Sequence, residues 1–333
     1  MKKIGYLGCG AWGFCLQRLL AKKGFQVVAW TIDPAIKERL SSFEEHPSLP
    51  GETAHENMRF TTNLQEAVQD ADLIVESVTS KGIRPVFSQL KELKLPDCPI
   101  ILTSKGIEQD TGLILPEVAL ETLGENFKSR LGLISGPSFA TEVIRGLPTS
   151  VVVTAWEKEV MEKAKEAFNT EVFRVYPNSD MIGVAYGGAL KNIIAIACGI
   201  SDGLELGFSS KAALITRGLH EITKLTLASG GKRETISGLS GLGDVVLTAG
   251  SLISRNFKFG HLLAKGDTPD VAKKKIGMVV EGAYTAVSAL QISKELDVDM
   301  PITEIVWRII YENMDPKDAV KALMLRSIKE EHL

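Results

Sequence analysis

The sequence predicts an α/β domain with a mostly parallel sheet, followed by a second, all-α domain. Three observations support this prediction. Short β-rich apolar runs alternate with helical patterns over about the first half of the chain, which is typical of βαβ units. Beyond Asn178 only helical patterns remain. The length of 333 residues suits about two domains, at roughly 150 residues each.

The strands and helices of the first domain alternate in order. The first helix is predicted to end before Gly24, because glycine commonly follows the last helical residue. The predicted strands are Ile4–Leu7, Gln26–Trp30, Leu73–Val78, Ile100–Thr103, Leu131–Ile134, Ser150–Thr154 and Val172–Val175. The predicted helices are Ala11–Lys23, Arg84–Leu93, Leu113–Leu123 and Glu157–Phe168.

The second domain is predicted to consist of helices joined by glycine-rich turns, of which Ser237–Gly243 is the clearest. The pattern changes at about residues 178–188, and we divide the chain into residues 1–183 and 184–333. The predicted helices are Met181–Ile200, Lys211–Ala228, Asn256–Lys265, Glu281–Leu296 and Thr303–Glu312.

The composition excludes several classes of protein. Hydrophobic residues make up 44% and charged residues 24%, which is an ordinary globular balance rather than that of a disordered or fibrous chain. The net charge of −3 gives no global reason to bind nucleic acid or anionic lipid, so we expect no nucleic-acid partner. The longest clean apolar run, Ile193–Cys198, is much shorter than the roughly 20 residues of a membrane span, and we expect no stable membrane insertion.

The cysteines predict free thiols in a reducing compartment. There are four, Cys9, Cys15, Cys98 and Cys198, without a C-x-x-C pair or the spacing of a zinc site, so no metal is expected. The apolar stretch Ile4–Leu16 follows two lysines and could pass for a signal peptide. Glycines interrupt it and no small-residue cleavage site follows, so we expect a cytoplasmic protein.

A glycine motif, Gly8-Cys-Gly-Ala-Trp-Gly13, lies directly after the first predicted strand and opens the first helix. Gly8 would allow the tight turn, Gly10 would let the backbone approach a pyrophosphate, and Gly13 would let helix and strand pack closely. The helix N-terminus, with Ala11 and Trp12, would offer N–H groups and a positive dipole end to phosphates. The alternative is that the glycines only shape a turn. Because strand, motif and helix follow in the right order, we expect a dinucleotide-binding, Rossmann-type domain.

Asp33 follows the second predicted strand, 20 residues after Gly13. An acidic residue at that position would bind the ribose 2′-hydroxyl and favour NAD. An Asp before Pro34 could equally cap the following helix. No arginine stands at residues 31–33 to receive a 2′-phosphate, so the sequence leaves the choice between NAD and NADP open.

Two loops of the first domain follow predicted strands, at the edge where open α/β sheets bind ligands. Thr103–Gly106 carries Lys105, which could meet a cofactor or an anionic substrate or could be a solvated loop lysine. In Ser135–Ala140, Ser138 could cap the next helix while Gly136 exposes backbone N–H groups to a phosphate. The alternative for this segment is a simple turn.

Lys191 lies in the run Gly187–Ala197, which is apolar on nearly every side and should be buried. A buried lysine must be paired or functional, because an isolated ammonium in a core is unfavourable. Lys191 is therefore the main candidate for a general acid or base. The alternative is that its side chain extends to the surface.

The second domain carries further polar sets. Asp244 and Thr248, four residues apart, are expected on one helical face, where Asp244 could hold Lys191 charged. Cationic neighbours would act in the opposite direction, and the sequence does not decide between them. In Ser254-Arg-Asn256, Arg255 could grip a phosphate or form a surface ion pair. Glu281, in an apolar stretch, could hydrogen-bond an amide or ribose or could cap its helix.

Taken together, these motifs resemble the bacterial-type NAD(P)-dependent glycerol-3-phosphate dehydrogenases. The resemblance covers about residues 1–315, and the combination of GPSFA, GALKN, AALITRGL and SRN is highly specific to the family. The matching segments are Gly8–Gly13, Leu49–Gly51, Thr103–Gly106, Ser135–Ala140, Gly187–Asn192, Lys211–Leu219, Leu242–Asp244, Ser254–Asn256 and Val279–Gly282.

The resemblance implies the activity and the roles of the matching residues. The expected reaction is the reversible reduction of dihydroxyacetone phosphate to sn-glycerol 3-phosphate for phospholipid synthesis, with NAD or NADP as cofactor. Residues 1–183 would bind the dinucleotide, residues 184–333 the substrate, and Lys191 would be catalytic. The implied substrate-binding residues are Lys105, Gly136, Ser138, Asp244, Ser254, Arg255 and Asn256, and we add Thr248 because it shares a helical face with Asp244. The implied cofactor-binding residues are Gly8, Gly10, Ala11, Trp12, Gly13, Lys105, Ala140, Arg255, Val279 and Glu281.

The sequence departs from the family pattern at two positions. Ala11 replaces the usual serine of the glycine motif, and Ile32 stands where arginine or histidine often precedes the Asp-Pro pair.

Two other functions remain as alternatives, a dehydrogenase of a different hydroxy acid and a nucleotide sensor without catalysis. The retention of Lys191, Asp244 and Arg255 together argues against the sensor. The oligomeric state is not fixed by the sequence, and a homodimer is the default expectation.

Overall fold

The computed structural model describes residues 1–328, 330 and 331. The chain forms two compact units. The first consists of Met1–Lys105 and Leu115–Met181, and the second of Gly106–Ile114 and the described residues from Ile182 onward. The sequence-based division after residue 183 lies two residues from the observed one and did not include the short segment Gly106–Ile114.

The first unit is an eight-stranded sheet in the order β3-β2-β1-β4-β5-β6-β7-β8. Neighbouring strands are parallel except β6 and β7, which are antiparallel. The strands are β1 Lys3–Leu7, β2 Gln26–Trp30, β3 Met58–Thr61, β4 Leu73–Glu76, β5 Ile100–Leu102, β6 Leu131–Ser135, β7 Thr149–Ala155 and β8 Phe173–Asn178. The strand order reverses between β1 and β4, which is where such sheets bind ligands at their carboxyl edge.

Seven helices accompany this sheet. One face packs against α1 and α7 around the buried side chains of Tyr6, Phe14 and Phe168. The helices are α1 Ala11–Lys22, α2 Pro34–Ser41, α3 Leu64–Val68, α4 Ile83–Lys91, α5 Leu115–Leu123, α6 Ala140–Val143 and α7 Lys158–Phe168. The α/β prediction with a mostly parallel sheet is confirmed. The sequence analysis missed β3, because four residues with one exposed arginine give too short an apolar run to stand out.

The second unit is helical. Its helices are α8 Met181–Gly203, α9 Gly207–Ala228, α10 Arg233–Ile236, α11 Asp244–Ala249, α12 Arg255–Ala264, α13 Pro269–Ile276, α14 Glu281–Glu295, α15 Pro301–Tyr311 and α16 Pro316–Met324. The glycine-rich segment before α11 is a π-helical turn, Leu239–Gly243, a form that is frequent at functional sites. The prediction of an all-α second domain is confirmed. The short helices α10, α13 and α16 were not predicted.

Helix α8 is long and apolar enough to cross a membrane, but 94% of its most apolar window is buried inside the protein. A helix that is apolar all round and covered on all sides is a core helix. The sequence predicted its burial, although the observed helix runs three residues beyond the predicted end at Ile200.

Two glycines let α8 and α12 approach each other closely. A Cβ atom on Gly199 would lie 2.0 Å from the carbonyl oxygen of Phe257, and one on Gly260 would lie 2.0 Å from that of Ile196. Both distances are far inside van der Waals contact, so any larger residue would force the helices apart. This close packing places the residues at the start of α12 beside the middle of α8.

Candidate active site

The glycine motif forms the turn between β1 and α1. Gly8 has a positive φ of 104°, and a Cβ on it would lie 2.6 Å from the carbonyl oxygen of Ser77. A Cβ on Gly13 would lie 2.4 Å from the carbonyl oxygen of Gly8. Both glycines are therefore required by the packing of the protein itself. A Cβ on Gly10, in contrast, would meet no atom of the described chain within 4 Å, so packing does not explain this glycine.

The start of α1 can receive an anion. Its N-cap is Gly10, no described side chain caps it, and its first turn contains no acidic residue. The first bond of the helix runs from the N–H of Phe14 to the carbonyl of Gly10, at 2.8 Å. The N–H groups before it are left outside the helix ladder, where the helix dipole is positive. Open space at Gly10 and free N–H groups beside it are what a pyrophosphate requires, so the residues present fit a dinucleotide.

Ala11 and Trp12 begin α1, and both are partly buried against the core of the first unit. Asp33 is the N-cap of α2, and its Oδ1 accepts hydrogen bonds from the N–H groups of Ala35 (2.8 Å) and Ile36 (3.4 Å). The capping interpretation of Asp33 is thus observed in the structure. A ribose contact by the same exposed carboxylate stays a prediction.

Lys105 and Gly136 connect the loops that follow β5 and β6. The Nζ of Lys105 donates a hydrogen bond to the carbonyl of Gly136 at 3.0 Å, and the hydroxyl of Ser138 donates to the same carbonyl at 3.2 Å. Ser138 is not the cap of the next helix, because the N-cap of α6 is Phe139. Of the interpretations that the sequence left open for this segment, capping of α6 by Ser138 is thus not observed. Ala140 begins α6 and packs partly buried against the core.

Glu76 is a buried carboxyl that the sequence analysis did not single out. It ends β4 between Leu7 of β1 and Leu102 of β5, and none of its surface is exposed. Burial raises the pKa of Glu76 to about 7, against the opposing effect of hydrogen bonds from Ser104 and the backbone. The available signal was an acidic residue at the carboxyl end of an otherwise apolar strand.

Lys191 lies in the middle of α8 and is 8% exposed. Its Nζ donates hydrogen bonds to Asp244 Oδ1 at 2.5 Å and to Thr248 Oγ1 at 2.7 Å. The hydroxyl of Thr248 lies 3.2 Å from the same Asp244 oxygen, so Asp244 and Thr248 share a face of α11 as predicted from their spacing. A fully buried carboxylate in contact with the ammonium favours its charged form. The surface alternative for Lys191 is not what the structure shows.

A second set of polar groups joins α8, α12 and α14. The amide of Asn256 donates to Asn192 Oδ1 at 2.9 Å and accepts from the N–H of Gly282 at 2.9 Å. Asn192 follows Lys191 directly in the chain, so the two sets are adjacent. Asn192 was predicted only as part of the motif Gly187–Asn192. It could have been singled out because it is an amide in a helix that is apolar on nearly every side.

Ser254, Arg255 and Glu281 lie at the N-termini of two helices. Ser254 is the N-cap of α12 and accepts from the N–H of Phe257 at 3.3 Å. Arg255 is the first residue of that helix and donates to the carbonyl of Val279 at 3.0 Å. Glu281 is the first residue of α14, whose N-cap is Val280, so the capping interpretation of Glu281 is wrong. A guanidinium at a helix N-terminus is suited to hold a phosphate.

The chain was compared with known proteins. The N-terminus of NAD-dependent glycerol-3-phosphate dehydrogenase matches residues 3–161, and the C-terminus of the same family matches residues 180–321. A glycerol-3-phosphate dehydrogenase [NAD(P)+] from Protochlamydia amoebophila is 62% identical over all of both chains. One from Chlamydia pneumoniae is 53% identical over 99% of each chain.

Solved structures agree with these sequence matches. The crystal structure of glycerol-3-phosphate dehydrogenase from Coxiella burnetii has a TM-score of 0.93 at 36% identity, covering 98% of this chain and 99% of that one. The enzyme of the same name from Plasmodium falciparum has a TM-score of 0.86 at 22% identity, covering 99% of this chain and 97% of that one. At that identity the second likeness shows the fold alone.

Proposed function

The chain belongs to the NAD-dependent glycerol-3-phosphate dehydrogenase family, and from this premise we propose which of its residues carry out the reaction. The activity is the reversible transfer of a hydride between NAD(P)H and dihydroxyacetone phosphate, which gives sn-glycerol 3-phosphate for glycerophospholipid synthesis. The alternatives of a hydroxy-acid dehydrogenase and a nucleotide sensor are thereby set aside. The choice between NAD and NADP is unresolved.

Lys191 is the proton donor in the direction of ketone reduction. The observation that carries this assignment is the buried contact of its ammonium with Asp244 and Thr248. When bound, the reduced nicotinamide supplies the hydride. The carbonyl oxygen of the substrate then gains negative charge, and a charged ammonium in a buried site can stabilise that oxygen and protonate it. After each turnover the amine of Lys191 takes up a proton from solvent, which the adjacent carboxylate of Asp244 favours.

Arg255 holds the substrate phosphate together with the N-terminus of α12. This helix begins with Ser254, Arg255 and Asn256, so a guanidinium and a positive dipole end lie at one place. Asn256 is oriented by Asn192 and by Gly282, which leaves it rigid. A rigid polar side chain can select substrate geometry at a low cost in conformational entropy.

We assign cofactor binding to the glycine motif and to the loops beside it. We assign the pyrophosphate to Gly8, Gly10, Ala11, Trp12 and Gly13, because Gly10 has open space beside it. We assign Lys105, with Gly136 and Ser138 beside it, to cofactor and substrate together. Ala140, Val279, Glu281 and Arg255 complete the proposed cofactor set. Support for these last four is their match to the family motifs.

A kinetic assay of purified protein tests the proposal. Consumption of NADH or NADPH that depends on dihydroxyacetone phosphate measures activity, and Lys191→Ala should lower kcat by about 10²–10⁴-fold, the usual contribution of a general acid. The cofactor should still bind to this variant in a fluorescence titration. The matched control is Lys258→Ala, which removes an exposed lysine of α12. Turnover of Lys191→Ala at the wild-type rate would reject the assignment.

We further propose that the enzyme is cytoplasmic. All four cysteines are buried free thiols, which suits a reducing compartment.

We also propose that the enzyme is a homodimer. Three apolar side chains near the end of α16 are at least 80% exposed, namely Met324, Leu325 and Ile328. Neighbouring exposed apolar side chains are typical of an interaction surface. Sedimentation equilibrium should give twice the chain mass of 36.1 kDa. A monomer at micromolar concentration would exclude a stable dimer.

A further inference from the structure

The carboxyl of Glu76 has an unusual set of partners. Its Oε1 accepts a close hydrogen bond from the N–H of Val78 and lies 2.6 Å from the hydroxyl oxygen of Ser104. Its Oε2 is buried and has no hydrogen-bond partner among the described residues. No described cation lies within ion-pair distance of either oxygen, and the side chain has no exposed surface. Burial outweighs the hydrogen bonds that this carboxyl receives from the Ser104 side chain and from the backbone of Val78, Ser104 and Thr103, and it favours the neutral acid.

The close oxygen neighbours of Ser104 also indicate that Glu76 carries a proton. The Ser104 hydroxyl has one proton, but its oxygen lies 2.6 Å from Glu76 Oε1 and 2.5 Å from the carbonyl oxygen of Val78. The carbonyl can only accept. If Glu76 were ionised, one of these two close oxygen pairs would have no proton between its atoms. A proton on Glu76 supplies the missing one, since Glu76 can donate to Ser104 and Ser104 to Val78.

This chain of hydrogen bonds connects two loops of the first unit. Val78 lies in the loop after β4, where a Cβ on Gly8 would be 3.1 Å from the Val78 nitrogen. Ser104 lies in the loop after β5 and directly precedes Lys105. The carboxyl of Glu76 therefore links the loop after β4, which packs against the glycine turn, to the start of the loop that carries Lys105.

We propose that Glu76 is a positioning residue that works as a neutral carboxylic acid, donating its proton to Ser104 and so fixing the loop of Lys105 against the glycine turn. Its effect on catalysis rests on the role proposed above for Lys105. Its protonation does not.

Infrared spectroscopy tests the protonation. The difference spectrum of wild type minus Glu76→Gln, at about pH 6 and below the raised pKa of the group, should show the carbonyl band of a protonated carboxylic acid. Ser104→Ala keeps the acid but removes its partner, and should shift that band. This second variant keeps the test available if Glu76→Gln folds poorly. The lack of an acid band in this difference spectrum would overturn the proposal.

A double-mutant cycle tests the positioning. Glu76→Gln and Ser104→Ala should each raise KM for dihydroxyacetone phosphate by about fivefold, the effect of one net hydrogen bond, with kcat within about twofold. Because both act through one chain of bonds, the double variant should be no worse than the worse single variant. Additive effects, or an unchanged KM in both single variants, would overturn the positioning role.

Glu221 is the matched control. It is as deeply buried as Glu76, but it accepts from the N–H of Ile302, the N–H of Thr303 and the hydroxyl of Thr303. Glu221→Gln should lower the melting temperature without changing KM, since the amide N–H groups would oppose these donors. A further variant, Lys105→Ala, separates the two proposals. If it leaves KM unchanged, the role of Lys105 fails while the acid band and its shift still decide the protonation of Glu76.

Discussion

The ammonium of Lys191 lies 2.5 Å from Oδ1 of Asp244, a side chain without exposed surface, although the two residues are 53 positions apart in the chain. The π-helical turn Leu239–Gly243 leads directly into α11 and sets Asp244 at the start of that helix. The pair lies inside the helical unit, where removing one partner leaves the charge of the other buried without its counter-ion. Such a pair controls both the charge and the position of the ammonium.

Asp244→Asn should lower kcat by about 10–100-fold and destabilise the protein by about 3–5 kcal/mol, the usual effect of breaking a buried ion pair. Steady-state rates and urea unfolding measure these two effects. Thr248→Val is the control that removes one neutral partner, and it should lower kcat less than Asp244→Asn does. A wild-type kcat in Asp244→Asn would contradict the proposed role of Asp244.

Arg255→Ala should raise KM for dihydroxyacetone phosphate by about 10–100-fold, as expected for the loss of a charge-assisted hydrogen bond. With the cofactor saturating, since Arg255 also belongs to the proposed cofactor set, the same change should leave the much weaker activity on dihydroxyacetone, which has no phosphate, nearly unaltered. Initial rates with both substrates test this, with Lys258→Ala as a control for the loss of a positive charge on the same helix. Equal losses on the two substrates would show that Arg255 does not recognise the phosphate.

Asp33→Asn should increase the ratio of kcat/KM with NADPH to that with NADH. Asparagine is as good an N-cap as aspartate, so α2 should stay intact while the negative charge that would repel a 2′-phosphate is removed. The two cofactors should be compared in wild type and variant under the same conditions. A ratio that does not change would mean that Asp33 serves only as the cap seen in the structure.

The contribution of Glu76 to the stability of the protein should fall as pH rises from about 4.5 to 7. The pKa of Glu76 is raised from 4.5 to about 7 by burial, so in that range the folded state keeps a proton that the unfolded state has released. This proton stabilises the fold at low pH, and the effect is lost as pH rises through 7. The shift corresponds to at most about 3 kcal/mol.

Urea unfolding of wild type and Glu76→Gln at several pH values measures this contribution. The variant does not titrate at this position, so the free energy of unfolding of wild type minus that of the variant should fall between pH 4.5 and 7. Glu171→Gln, at an exposed carboxylate between α7 and β8, is the control and should follow wild type over this range. Parallel curves for wild type and Glu76→Gln would contradict the expectation.

The sequence predicted the class of fold well because its signals are local. Apolar runs identified seven of the eight strands, and the glycine motif marked the start of α1. The segment Gly106–Ile114 could not be assigned in the same way. It packs in the helical unit through contacts such as that of the Ser288 hydroxyl with the carbonyl of Ile107, and a contact between residues 181 positions apart leaves no local pattern.

The candidate site was predicted in parts rather than as an arrangement. Lys191 stood out because a charge inside an apolar helix needs an explanation, and Asp244 was named as its partner. The chain of hydrogen bonds from Glu76 through Ser104 to Val78 could not be foreseen, since it depends on which loops become neighbours. Serine and glutamate are also common residues, and their presence in a loop or at a strand end predicts little by itself.

The glycine contacts between α8 and α12 have a consequence for the choice of substrate. Lys191 is carried by α8 and Arg255 by α12, and the two backbones meet at Gly199 and Gly260. The distance between the proposed proton donor and the proposed phosphate-binding group is thus fixed by the direct contact of two main chains. We therefore expect the enzyme to select substrates by the distance between their ketone and their phosphate. Substrate analogues with one more carbon between these two groups should be poor substrates, although no side chain of the site is changed.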